Sequence, residues 1–359
     1  MKQVFVNATI LYGEDLEIVE GYVVVEGKNI YEVGEGSYFG KNTDVKGGII
    51  FPSFMNSHMH IGDSVAKDLG AYSNIEERVG KGGIKQRTLE ERSSEVPKAI
   101  QATLKEMLRG GTTAFCDFRE GGLEGIKQLK SALKTPIDCK IMGRPNSDDL
   151  GKVLDNCDGI GVSSVKEHTE EELKKISNAV KRSSKLLGVH VGEVEDDLNK
   201  ALAIKPDFVV HLTNVDGEGL ERTIEAGIPV ILCPRANAML GVGIPRLKEL
   251  FCSTLVALGT DNVMVNSPDM FREMEFTFKI IRGIYKDHMF DAKEVLKGAT
   301  INGRRIFGLP DNSIKEGNIA DFTIIKKRAY TTDPILSLVH RSDSSDIRAV
   351  IKNGSMIKN

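Results

Sequence analysis

Phe51-Pro52-Ser53-Phe54-Met55-Asn56-Ser57-His58-Met59-His60 decides how the chain is read. A run of apolar, strand-forming residues ends in two histidines two positions apart. On a strand, residues i and i+2 point to one face. Both imidazoles therefore aim the same way and can chelate one metal ion. Catalytic residues of (β/α)8 barrels sit at the C-terminal ends of the strands, so Ile49–Asn56 is expected as barrel strand 1, with His58 and His60 at its end.

Downstream, short apolar runs alternate with charged amphipathic segments, the grammar of a parallel sheet or barrel. The strands expected after the first are Thr112–Phe118, Asp138–Gly143, Gly159–Val165, Leu186–Val191, Phe208–His211, Pro229–Cys233 and Thr254–Gly259, eight in all. Glu170–Ser184 and Asp291–Ile301 read as intervening helices. Residues 62–96 are too long and charged for a tight turn and read as an insertion over the mouth of the barrel. Both chain ends differ from this middle. Val4-Phe5-Val6, Tyr22–Val25, Ile30–Val33, Asp321–Ile325 and Ile347–Ile351 are β-rich and punctuated by Gly or Asn. The expected architecture is α/β: a (β/α)8 TIM barrel over 51–312 with a small β-sandwich domain from 1–50 plus 313–359.

Length and composition fit this. The 359 residues, 40% hydrophobic, suit a barrel of about 250 residues plus a smaller domain. A net charge of −3 provides no strong field for nucleic acid or an anionic membrane, which points to a small-molecule partner. The five cysteines form no CxxC pair, which argues against a disulfide framework or a Cys-rich zinc site. With no apolar leader at the N-terminus and no run near ~18 apolar residues, a cytoplasmic location is expected. A homo-oligomer is left open.

More candidate chemistry falls at strand ends. His190-Val191-Gly192-Glu193 closes strand 5 with a third imidazole and a carboxylate three residues on. His211 closes strand 6. Asp261 follows strand 8 in Leu258-Gly259-Thr260-Asp261, where a buried carboxylate is costly unless it meets a cation. Four of the seven histidines thus lie at expected strand ends, while His168, His288 and His340 lie in other contexts. Arg119 and Arg144 end strands 2 and 3, each either holding a polar group of the substrate or forming a rim ion pair, Arg119 with Glu120. Three neutral imidazoles and a carboxylate suit one divalent transition metal, Zn²⁺ ahead of Fe²⁺.

The order HxH, HxxE, His, Asp resembles the amidohydrolase superfamily, in the branch of cytosine deaminase, chlorohydrolases and nucleobase or nucleoside deaminases. Phe51–His58 is similar to that branch's PGFVNxHxH opening. Cys233-Pro234-Arg235-Ala236-Asn237-Ala238-Met239-Leu240-Gly241-Val242-Gly243 resembles its CPxSNxxLGxG segment, with Ala236 in place of the usual Ser. Gly259-Thr260-Asp261 followed by Asp269–Met274 resembles its strand-8 signature. The resemblance implies a metal held by His58, His60, His190 and Asp261, with Asp261 also taking a proton from water. It implies that Glu193 shuttles a proton to the leaving group and that His211 polarises the substrate. The expected reaction is hydrolytic deamination of an amino-substituted heterocycle, such as a nucleobase, nucleoside or pterin. The same site also serves cyclic amide (imidazolone-type) hydrolysis or loss of chloride. Two other readings are a two-metal form bridged by carboxylated Lys166 and an inactive binding scaffold.

Overall fold

The computed structural model describes residues 2–146 and 148–357. The chain folds into two compact units, one of residues 1–55, 106–114 and 269–359, the other of 56–105 and 115–268.

The N-terminal strands are β1 (Lys2–Tyr12), β2 (Glu17–Glu26), β3 (Asn29–Glu35) and β4 (Thr43–Pro52). The barrel strands are β5 (Phe54–His60), β6 (Thr112–Arg119), β7 (Asp138–Gly143), β8 (Gly159–Val162), β9 (Leu186–Val191), β10 (Phe208–His211), β11 (Val230–Leu232), β12 (Val256–Leu258) and the two-residue β13 (Asp261–Asn262). The chain ends with β14 (Phe322–Ile325), β15 (Ile347–Lys352) and β16 (Ser355–Ile357).

Among the described residues, the terminal strands form one mixed sheet in the order β16-β15-β14-β4-β1-β2-β3. N- and C-terminal segments meet where β14 runs antiparallel to β4, with Phe322 opposite Pro52 and Ile325 opposite Ile49. Alternate apolar residues supply one core, in which Phe5, Ile10, Val23, Ile50, Phe322 and Ile351 are buried. The Phe5 and Phe322 rings meet edge to face at 5.5 Å. Beneath this core, Asp321 accepts from Arg304 Nη2 at 2.7 Å, Lys352 Nζ at 2.5 Å and the Asn353 amide at 2.6 Å.

The second sheet runs β12-β11-β10-β9-β8-β7-β6-β5-β13. Its strands are parallel, and β13 returns to pair with β5, Asp261 opposite Met59 and Asn262 opposite His60, so the ring is closed as a barrel. Helices connect the strands. That of Glu170–Arg182 starts with a reciprocal cap in which Thr169 Oγ1 accepts from the Glu172 amide and the Glu172 carboxylate accepts from the Thr169 amide.

Several expected boundaries move; Gly159–Val165 ends as a strand at Val162, Pro229–Cys233 shortens to Val230–Leu232 and the helix Glu170–Ser184 ends at Arg182. Ile49–Pro52 belong to the terminal sheet, and the first barrel strand begins at Phe54. The apolar run covers two strands that part at Ser53: its amide still donates to Asp321 O, whereas the next amide, of Phe54, donates to Gly111 O. His58 and His60 consequently lie inside a strand rather than beyond one. The expected helix Asp291–Ile301 divides at Thr300, whose φ −127° and ψ −86° are not helical, into Ala292–Ala299 and Ile301–Ile306. The eighth strand stops at Leu258, and the chain re-enters the sheet at Asp261.

Removing Asp321 leaves two buried cations without their carboxylate. Asp321→Asn should therefore destabilise the protein by about 3–5 kcal/mol in urea unfolding. A loss below about 1 kcal/mol would show that the cluster carries little of the stability.

Candidate metal centre and active site

The sequence-derived candidates meet at the C-terminal ends of the barrel strands. His58 and His60 come from β5, His190 from β9, His211 from β10 and Asp261 from β13. All five are buried. His58 Nε2 lies 3.2 Å from His190 Nε2 and 3.3 Å from Asp261 Oδ1, and His60 Nε2 lies 3.4 Å from that same oxygen. Donor atoms about 2.0–2.1 Å from a tetrahedral ion are about 3.3 Å apart, so this spacing fits one divalent ion. His211 joins from the other side: donor atoms of His58, His190 and His211, and of Glu193, His211 and Asp261, form groups lying within 4.8 Å.

Three of the four ring nitrogens turned away from this centre are spoken for, whereas His58 Nδ1 is buried without a partner. His190 Nδ1 lies 2.9 Å from Val162 O, and His60 Nδ1 lies 3.1 Å from Phe118 O. Donation to those carbonyls fixes the tautomer and leaves each Nε2 lone pair facing inward. His211 Nδ1 pairs with Asn237 Oδ1 at 3.0 Å, and Asn237 Nδ2 donates to Thr213 Oγ1. His211 Nε2 and Asp261 Oδ2 are buried without hydrogen-bond partners, as expected of groups that face a ligand.

Electrostatics favour the metal-binding forms. Burial pushes the His58 imidazole down to about 3 despite the opposing pull of Asp261, so it is neutral. Burial likewise lowers His60 and His190. Burial alone would raise Asp261, but the hydrogen bond with His58 and the surrounding imidazoles hold it well below the carboxylate range. Glu193 is different. Burial raises its carboxyl against the pull of His211, whose Nε2 lies 3.7 Å away.

Backbone geometry places these groups at a cost. His211, Leu212 and Asp261 have positive φ of 80°, 54° and 58°. Non-glycine residues are held there only when their surroundings impose it. For Asp261 the imposing contacts are from Asn56, whose Oδ1 accepts from the Thr260 amide at 3.0 Å while its Nδ2 donates to Thr260 Oγ1 at 2.7 Å. Gly259 permits the approach, since a Cβ there would lie 2.6 Å from the His58 nitrogen.

A second layer was not foreseen. Glu120, read from the sequence as a partner for Arg119, instead puts Oε1 2.7 Å from His60 Nδ1 and 2.6 Å from Lys85 Nζ. Burial pushes the Glu120 carboxyl up, but Lys85 and His60 beside it hold it well below its ordinary range. Lys85 comes from the 62–96 insertion, which folds as a short 3₁₀ turn and the helices Ile75–Val79 and Ile84–Glu91. Nothing in the insertion's pattern marks Lys85 among its many charged residues. Asn237 stood in a recognised motif, so its role was within reach.

The two arginines divide. Arg119 is buried, its Nε donating to Glu120 O and its Nη1 lying 3.8 Å from Asp117 Oδ2. Arg144 is partly exposed, with Nη1 3.7 Å from Glu120 Oε1 and a buried Nε that lacks a partner. Lys166 pairs with Glu195 and is 42% exposed. His168 lies 4.0 Å from Glu172, and His340 stacks on Phe278.

Residues 49–357 match the model of the amidohydrolase family. The chain belongs to the amidohydrolase family. A putative aminohydrolase of Methanothermobacter thermautotrophicus is 36% identical, covering 98% of both chains. A 5-methylthioadenosine/S-adenosylhomocysteine deaminase of Thermococcus onnurineus is 25% identical, covering 98% of this chain and 92% of its own. The zinc-complexed atrazine chlorohydrolase of Arthrobacter aurescens superposes with a TM-score of 0.81 at 17% identity, covering 98% of this chain and 94% of its own, a likeness of fold. This amidohydrolase is a metal-dependent hydrolase acting on C–N bonds other than peptide bonds. No helix among the described residues is long and apolar enough to cross a membrane.

The purified protein should carry about one transition-metal ion per chain by elemental analysis. His190→Ala should lose metal and activity together. Two tightly held ions, one lost on Lys166→Ala, would establish the two-metal form instead.

Proposed function

We propose that this amidohydrolase is a hydrolytic deaminase of an amino-substituted heterocycle, with His58, His60, His190 and Asp261 holding one metal ion. The observation that carries the reading is Glu193: a carboxyl raised by burial, 3.7 Å from His211 and grouped with Asp261. A carboxyl that holds its proton more tightly than an ordinary carboxylate, set beside the metal-capable groups, suits transfer of a proton to a leaving amine. The aminohydrolase and deaminase names of the relatives support it.

When bound, the metal supplies the Lewis acidity that brings a water's pKa from about 15.7 towards ~7. Asp261, with Oδ2 unpartnered, takes the proton from the attacking water. His211, held by Asn237, points Nε2 at the substituent of the attacked carbon and polarises it. Glu193 carries a proton to the adjacent ring nitrogen. The carbon becomes tetrahedral, a proton reaches the amino group, and ammonia departs. Arg144, with its unpartnered Nε, binds a polar group of the substrate, while buried Arg119 braces the end of β6.

A screen of purines, pterins, pyrimidines and nucleosides for ammonia release tests the reaction class. Ring opening of a cyclic amide or release of chloride, with no ammonia from any substrate, would overturn the deaminase reading. Glu193→Gln should keep its metal and lose about 10²–10⁴-fold in kcat, the worth of a positioned acid/base. Near-normal turnover in that variant would remove the proton-shuttle role. Arg144→Met should raise KM with metal content unchanged; unaltered kinetics would exclude Arg144 from substrate binding.

A further inference from the structure

Lys85 is 6% exposed, and a buried ammonium is costly unless it is paired and hydrogen-bonded. Its ammonium has three N–H donors, with two acceptors within hydrogen-bond distance and a third, a carboxylate, beyond it. Nζ lies 2.6 Å from Glu120 Oε1 and 3.6 Å from Asp63 Oδ2, and donates to Asn262 Oδ1 at 2.9 Å. Two of these partners lead directly to the metal centre. Glu120 Oε1 lies 2.7 Å from His60 Nδ1. Asn262 Nδ2 donates to Asp261 Oδ1 at 3.0 Å.

The chemistry of these groups fixes directions along the chain. An ammonium has donors only, so the Asn262 amide must present its oxygen to Lys85 and its nitrogen to Asp261. The Glu120 carboxylate has acceptors only, so Oε1, 2.7 Å from Nδ1, reinforces the His60 tautomer that donation to Phe118 O selects, protonated at Nδ1 with Nε2 left as the metal-binding nitrogen. The path His60–Glu120–Lys85–Asn262–Asp261 therefore orients one imidazole and one carboxylate through a single cation. Lys85 is carried by the helix Ile84–Glu91, in the insertion after β5, whereas the groups it orients sit on barrel strands.

We propose that Lys85 is a positioning residue that orients His60 through Glu120 and Asp261 through Asn262, coupling order in the 62–96 insertion to the metal centre. The inference rests on His60 and Asp261 being metal ligands. It does not depend on which C–N bond is cleaved.

The test is zinc affinity, measured by chelator competition without substrate. Lys85→Met and Lys85→Gln should bind zinc about 10–100-fold more weakly than the wild type, the usual cost of losing a group that orients metal ligands. Lys85→Ala should regain affinity with ethylammonium in the buffer and should not regain it with ethanol. Wild-type affinity in the Met and Gln variants, or equal rescue by ethanol, would overturn the proposal, the second by showing that only volume was missing. If the variants do not fold, amide exchange of the wild-type protein decides. Stripping zinc should speed exchange in residues 84–91, and unchanged protection there would overturn the coupling. A negative ammonia screen leaves all of these readouts interpretable, so failure of the deaminase reading and failure of this one are separable.

Discussion

The barrel closes at Asn56 and Thr260, and the active site depends on that closure. The two hydrogen bonds between these residues bind the end of the last strand to the first. Gly259 lets the backbones approach to a distance that a side chain would block. Only then does Asp261 reach His58 and His60. An open sheet of the same strands would leave Asp261 at the edge opposite both histidines. The positive φ of Asp261 is part of what the closure imposes, and strain of this kind is stored where surrounding contacts over-determine the backbone.

Electrostatics turn that geometry into chemistry. Burial makes the imidazoles neutral and good donors, and it makes an ionised Asp261 costly without positive charge nearby. A divalent ion meets both conditions at once. Around this centre the structure adds a fixed ion pair, Lys85 against Glu120, whose carboxylate also faces His60 Nδ1. Glu193 stands apart because desolvation of its partly buried carboxyl outweighs the pull of His211. Its carboxyl is pushed up while that of Asp261 is pulled down. Two carboxyl groups in one cavity thus acquire different acid strengths, as an enzyme that both accepts and returns protons requires.

The candidate ligand residues that the structure brings together were legible in the sequence because their signals are local. His58 and His60 are two apart on a strand, His190 and His211 each close an apolar run, and Asp261 follows one. The alternation of apolar and charged segments specified the barrel, and the β-rich ends specified a sheet shared by both termini. Boundaries were less legible where one apolar run served two elements. Ile49–Pro52 and Phe54–His60 read as continuous because periodicity records burial, and both halves are buried.

The sequence by itself determined the fold class and the residues able to bind a metal, because strand periodicity and strand ends are set by neighbours a few positions away. Only the tertiary structure decided how those residues are supported. Lys85 and Glu120 are 35 positions apart, and Lys85 and Asn262 are 177 apart. A charged residue on a surface helix and one whose ammonium is buried beside a metal centre look alike in a sequence. The difference between them is desolvation, which depends on what the rest of the chain places around the charge.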